Sequence, residues 1–182
     1  MTRMPMVDPA ATSGRLRALL DGVAAKRGRV PAMVRVLANA PAALSGYFSF
    51  HAALGSGVLD PALREQIAIV VAEANGCAPC LAAHTAFGRQ EGLSDAELEA
   101  ARDAHSMDPA ITTALGFALS VMRTVGHVSD ADLVAMKSHG FDDAAILEIV
   151  AIVFMNVFTN AVNHVAATTP DYPAVPARKG TP

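Results

Sequence analysis

Apolar residues recur along this chain at the three- and four-residue spacing of one helix face, and no segment keeps up the two-residue alternation of a strand. Leu16, Leu19, Leu20 and Val23 form the first such stripe, over 15–26, with Ser13 placed to cap it. Pro31 opens a second helical stretch over 32–38. Pro41 opens a third, which passes Leu44, Phe48 and His51 before Gly55-Ser56-Gly57 stops it. Asp60-Pro61 is a cap followed by a proline in the first turn, and it starts a helix over 61–74. Asn75-Gly76 ends that helix, because glycine adopts the left-handed C-terminal conformation readily. A new helix begins at Cys77, tolerates Pro79 in its first turn, and continues to about residue 90. Ser94 and Glu97 form a capping box for 95–105. Helices are expected over 109–124 and 129–138, and 142–167 reads as one long helix or a helix pair. The pattern predicts an all-α bundle of about seven to nine helices in a single domain over 14–169. A flexible arm (1–13) precedes it, and an extended tail (170–182) follows.

One internal echo stands out. Gly57, Asp60, Ala62, Glu65, Ala68, Ile69 and Val70 match Gly140, Asp143, Ala145, Glu148, Ala151, Ile152 and Val153 at a constant offset of 83. Carried further, Cys77 aligns with Asn160 and Cys80 with Asn163. Two readings stay open: convergence of two capped amphipathic helices, or a duplicated helical unit whose second copy lacks thiols.

Composition narrows the function classes. The chain has 182 residues, 52% of them apolar, with no Trp, which suits packed helices. The formal net charge of -3 and the lack of any basic run exclude a nucleic-acid surface on electrostatic grounds. The start, Met1-Thr2-Arg3-Met4-Pro5-Met6, has no apolar signal-peptide core. Of the most apolar windows, 66–74 is too short to span a bilayer, and 144–158 carries Glu148. The expectation is a cytoplasmic protein with no membrane partner.

The chemistry concentrates at Cys77-Ala78-Pro79-Cys80-Leu81-Ala82-Ala83-His84. At about 100° per residue, Cys77, Cys80 and His84 share one helix face. Two thiols three residues apart at a helix start can close a disulfide with little movement. The helix N-terminus favours the thiolate, which is the reactive form. His84 lies one turn beyond Cys80, within reach for proton exchange. Glu65 lies on the preceding helix, which the Asn75-Gly76 turn folds back alongside. In an apolar stretch such a carboxyl can act as base and acid in one cycle. Competing readings are half a zinc site with His84 as third ligand, or two small buried residues. Leu81 occupies the position where a c-type haem motif needs His. His51, His105, His127, His139 and His164 are scattered and read as structural or surface groups. Asn156, Asn160, Asn163 and His164 read as helix–helix hydrogen-bonding residues or as the rim of a cleft.

At Glu65, Cys77, Cys80 and His84 the sequence resembles the alkylhydroperoxidase AhpD-like branch of the carboxymuconolactone decarboxylase family. The core motif E-x(11)-C-x-x-C-x-x-x-H is present, and Asn160-Ala161-Val162-Asn163-His164 followed by Asp171-Tyr172-Pro173 is similar to peroxidase-related members. The resemblance covers roughly residues 30–175. It implies an all-helical homo-oligomer, often a trimer or hexamer. It also implies thiol peroxidase or disulfide reductase chemistry without a bound cofactor. In that scheme Cys80 attacks a hydroperoxide, Cys77 resolves the product as a disulfide, and Glu65 and His84 relay protons. A lipoyl-bearing or thioredoxin-like dithiol protein then restores the thiols. In the peroxidase subgroup a His precedes the second Cys, where this chain has Pro79, so the relay here rests on Glu65 and His84 alone. Two alternatives remain: a lyase of the decarboxylase type using Glu65 and His84, and a non-catalytic zinc or redox-sensing module.

Overall fold

Side-chain caps and first-turn prolines set most of the helix starts. In the computed structural model, which describes residues 2–178, the helices are α1 (Gly14–Arg27), α2 (Ala32–Leu37), α3 (Pro41–Gly55), α4 (Pro61–Ala74), α5 (Ala78–Gln90), α6 (Asp95–Ala101), α7 (Pro109–Thr124), α8 (Asp130–Ser138) and α9 (Asp143–Ala166). Among the described residues there is no strand. Asp60, Asp108 and Asp142 each accept a backbone N–H of their own helix's first turn, from Ala62, Ala110 and Ala145, all at 2.8 Å. Ser94–Glu97 and Ser129–Asp132 close reciprocal capping boxes. The serine hydrogen bonds hold both of those carboxyls below their ordinary values.

Three local expectations are corrected. Ser13 precedes α1, but its side chain makes no cap hydrogen bond. The helix after Ser94 stops at Ala101 rather than 105, since Ala104 turns to φ 54° and cannot continue it. Cys77 is the N-cap of α5 rather than its first helical residue. The segment over 142–167 is one continuous helix, α9.

Helices α4 and α9 form the centre. Ile67, Ile69 and Val71 of α4 and Ile149, Ile152 and Val153 of α9 are buried in one core with Leu115, Ala118 and Val121 of α7. By length and composition α9 would suffice to cross a membrane, with 24 residues and a mean hydropathy of 2.0. Here it is the core helix against which α2, α3, α4, α5 and α7 pack. A smaller core, built on Leu20, Val34, Leu37 and Leu44, joins α1, α2 and α3.

The echo between the two halves does not extend to a repeated hairpin. α9 runs unbroken through the positions equivalent to Asn75-Gly76. Glu148, the counterpart of Glu65, accepts the Val58 and Leu59 amides at 2.9 and 3.2 Å. That carboxylate fills the space beside Gly57, where a Cβ would come within 2.4 Å of it.

Both flanks are tied to the bundle. The Arg3 amide donates to Ala166 O at 2.7 Å, and the Val7 amide to Arg35 O at 3.0 Å. At the other end Asp171 accepts the Ala32 amide at 2.8 Å. The Arg178 amide donates to Glu73 at 2.7 Å, on the side of the carboxyl that the Arg102 guanidinium leaves open. Residues 179–182 of the expected tail lie outside the described residues.

Candidate active site

The α4–α5 hairpin builds the site, and its turn follows from two residues. Gly76 takes φ 66°, which an L side chain adopts only with strain. With that turn made, the Cys77 amide donates to Ala72 O at 2.8 Å and the Gly76 amide to Glu73 O at 3.1 Å. These are the two bonds of a Schellman motif, and they satisfy the last carbonyls of α4. The chain then enters α5 at once. Pro79 occupies its first turn, and the first helical bond runs from the Leu81 amide to Cys77 O at 2.9 Å.

Cys77 and Cys80 are joined as a disulfide, with their Cα atoms 5.3 Å apart. The two sulfurs are not equivalent. Both are packed in the main core, but Cys77 is 0% exposed, while Cys80 (4% exposed) also forms part of the wall of a large cavity. Cys80 is also the sulfur inside the first turn of α5, where amides without helical partners point.

Glu65 and His84 meet across the hairpin, with Nδ1 of His84 2.7 Å from Oε2 of Glu65. Both side chains are about one-fifth exposed, at 22% and 21%, so the pair is reachable from solvent rather than sealed in the core. When Glu65 is ionised, Nδ1–H of His84 donates to it and Nε2 remains to exchange a proton. Gly88, one turn further along α5, lets α6 approach: a Cβ there would lie 2.6 Å from Leu98.

The cavity measures about 830 Å³ and is lined by residues of α1, α2, α3, α4, α5, α9 and the tail, including Glu65, Cys80 and His84. Leu19, Val23, Met33, Phe48 and Met155 make much of its wall apolar. Arg27 lies over the Phe87 ring, 3.7 Å from its centroid, and Phe87 in turn meets Tyr172 and His84 edge-on at 5.2 and 5.9 Å. Burial pushes the Tyr47 hydroxyl up to about 12, against the smaller opposing pull of Arg27. His51 is open at the cavity mouth, yet desolvation by the surrounding protein, with Arg27 adding to it, holds its ring below the ordinary imidazole value.

Behind Cys80 stands α9. The Asn163 amide donates through Nδ2 to the Cys80 sulfur at 3.2 Å, and the Thr168 hydroxyl donates to Asn163 Oδ1. Asn75 Nδ2 donates to Asn160 Oδ1 at 3.1 Å, and a ring nitrogen of His164 contacts Asn75 O at 3.0 Å. The Asn group is therefore helix-to-helix glue at Asn160 and cavity wall at Asn156 and Asn163. Sequence reasoning placed Glu65, Cys77, Cys80 and His84 together, and the fold does bring all four to one hairpin. It gave no sign of Arg27, Tyr47 or Phe87, which reach the cavity from separate helices. No group of three or more His, Cys, Asp or Glu among the described residues is placed to hold a metal ion.

A helical bundle with a disulfide-forming pair at a helix start and an acid–histidine pair beside it defines an all-α, thiol-based redox class of site. Residues 41–124 match the carboxymuconolactone decarboxylase family. The chain is similar to an uncharacterized peroxidase-related protein from Ralstonia eutropha JMP134, described as an alkylhydroperoxidase AhpD core. The two are 28% identical over 93% of this chain and 92% of that one, with a TM-score of 0.85. A peroxidase-related protein from Silicibacter sp. TM1040 is 27% identical over 93% and 90%, with a TM-score of 0.80. The debrominase Bmp8, solved in complex with 2,3,4-tribromopyrrole, shares the fold at 16% identity, covering 94% and 92%, with a TM-score of 0.79. No protein of curated function matches the chain in sequence. The likeness to the carboxymuconolactone decarboxylase family lies in the segment that carries the cysteine hairpin, and the fold of the chain is that of the AhpD-like proteins.

Proposed function

We propose that this protein is a thiol-dependent reductase of organic hydroperoxides. The observation that carries this reading is the asymmetry of the cysteine pair: Cys80 faces the cavity that holds Glu65 and His84, while Cys77 is buried behind it. In the reduced enzyme the Cys80 thiolate attacks one peroxide oxygen. An S–O bond forms, the O–O bond breaks, and the departing alkoxide takes a proton from the His84–Glu65 pair and leaves as the alcohol. Sulfur is thereby oxidised to the sulfenic acid. The Cys77 thiol then attacks that sulfur; its proton passes through the now-deprotonated pair to the departing hydroxide, water leaves, and the disulfide closes. An external dithiol, of the lipoyl or thioredoxin-like kind, reduces it by exchange. The cavity is far larger than hydrogen peroxide requires and mostly apolar, which favours an organic hydroperoxide.

The same cavity supports a second reading. A halogenated aromatic, like the ligand of the Bmp8 complex, would also meet Cys80 there. Its turnover would release halide and would not depend on a peroxide. The lyase alternative uses Glu65 and His84 alone and predicts turnover that survives loss of both thiols.

A homo-oligomer in the cytoplasm completes the proposal. Leu147, Phe154, Phe158 and Val165 form an exposed apolar stripe on α9, which suits contact with further copies of the chain. Replacement Cys80→Ser should abolish hydroperoxide-dependent thiol consumption, followed with cumene hydroperoxide and dihydrolipoamide. Full activity in that variant rules the reading out.

A further inference from the structure

The mechanism above leaves one buried polar group beside the reactive sulfur without a role. Asn163 is 8% exposed, Thr168 is 9% exposed and Cys80 is 4% exposed, so their contacts are nearly closed to water. The Asn163 amide has two ends, and its neighbours fix which faces which way. A disulfide sulfur can only accept, so the NH₂ end is the one turned to Cys80 at 3.2 Å, and the Thr168 hydroxyl donates to the Oδ1 left facing it. The Thr168 amide also donates to Asn163 O at 3.2 Å, which locks the end of α9 around this pair.

We infer that Asn163 is a positioning residue that stabilises negative charge on the Cys80 sulfur, with Thr168 holding its amide in the donating orientation. A disulfide sulfur is a weak acceptor, so this donor is worth little in the oxidised state. A thiolate is a full anion, and a hydrogen bond to it is about twice as strong as one between neutral groups. The donor therefore favours the reduced, ionised form over the disulfide. That makes Cys80 more reactive at neutral pH and the disulfide easier to reduce. Glu65 and His84 also face the cavity at Cys80 from α4 and α5, and neither touches Asn163 or Thr168 among the contacts described.

The inference rests on Cys80 being the reactive thiol, but its test does not need peroxide turnover. Asn163→Asp keeps the shape and can still accept from Thr168, while turning a carboxylate oxygen towards the sulfur. Two quantities report the effect: the rate of iodoacetamide alkylation of Cys80 against pH in a Cys77→Ser background, and the equilibrium of the Cys77–Cys80 pair with dithiothreitol. For Asn163→Asp we expect alkylation at pH 7 to fall about tenfold, equivalent to roughly one unit in the midpoint of the profile. The dithiothreitol equilibrium should move towards the disulfide by a similar factor. Thr168→Val should move both the same way by less, and Thr168→Ser should restore them. Wild-type values within twofold for folded Asn163→Asp would overturn the inference. If that variant does not fold, unchanged values in Thr168→Val overturn it instead. Failure of the wild-type thiols to react with any hydroperoxide would remove the proposed function and leave these two readouts intact.

Discussion

Arg102→Met should destabilise the protein severely, although residue 102 lies outside the cavity. Arg102 has a side chain only 9% exposed, and its Nε lies 2.7 Å from the Glu73 carboxylate. Glu73 is 1% exposed, so that carboxylate has almost no access to water. Removing the guanidinium takes a charged partner from a buried carboxylate that also accepts the Arg178 amide at 2.7 Å. It also frees Pro176 O, which Arg102 binds at 2.8 Å, and so loosens the tail. Breaking one side of a buried ion pair costs about 3–5 kcal/mol. Against a total stability of about 5–15 kcal/mol this is a large fraction. For a chain of this size it corresponds to a fall in Tm of roughly 6–20 °C. Glu73 is also in the last turn of α4, three residues before Gly76, so the hairpin carrying the cysteines should loosen with it. Urea and thermal unfolding by circular dichroism measure the loss. The double variant Glu73→Met/Arg102→Met should recover much of it, because the buried carboxylate is removed together with the guanidinium. A loss under about 1 kcal/mol for Arg102→Met would refute the argument that Glu73 depends on this partner.

Other outcomes follow from the same geometry. Glu65→Gln should lower hydroperoxide turnover by about 10²-fold or more, with thiol alkylation largely kept, as expected when proton transfer is lost. Gly76→Ala should cost about 1–2 kcal/mol in unfolding experiments, since its φ of 66° strains any Cβ. In a spectrophotometric titration one phenol should ionise near pH 12, and Tyr47→Phe should remove that phase. The folded Tyr47 keeps its proton between about pH 10 and 12 while the unfolded chain loses it, so stability falls as pH rises through that window. Phe158→Glu, placed on the exposed stripe of α9, should reduce the assembly size seen by light scattering.

The α4–α5 hairpin was legible because its determinants are local. Asp60, Pro61, Asn75, Gly76 and Pro79 fix both helix ends by capping and by φ preference, and helical period then puts Glu65 opposite His84. The cavity was not legible, for a different reason. Arg27 on α1, Tyr47 on α3, Phe87 on α5 and Tyr172 on the tail meet through contacts far apart in sequence. No capping or periodicity signal records such contacts. Asn163 shows the boundary between the two cases. Its place on an apolar helix marked it as a helix–helix hydrogen-bonding or cleft-rim residue, but only the crossing of α9 behind α5 brings it to the Cys80 sulfur. The end of α6 was misjudged because Ala104 adopts a left-handed conformation that its identity does not favour.

The central claim is that Cys80 is the sulfur that meets peroxide and Cys77 the one that resolves it. It is tested most directly by trapping the first oxidation product. Reduced Cys77→Ser protein, given one equivalent of cumene hydroperoxide and a sulfenic-acid trap such as dimedone, should carry the adduct on Cys80 by mass spectrometry. Wild-type protein treated alike should instead lose two hydrogen atoms per chain as the Cys77–Cys80 disulfide. An adduct on Cys77 in Cys80→Ser protein, formed as fast as that on Cys80, would contradict the account.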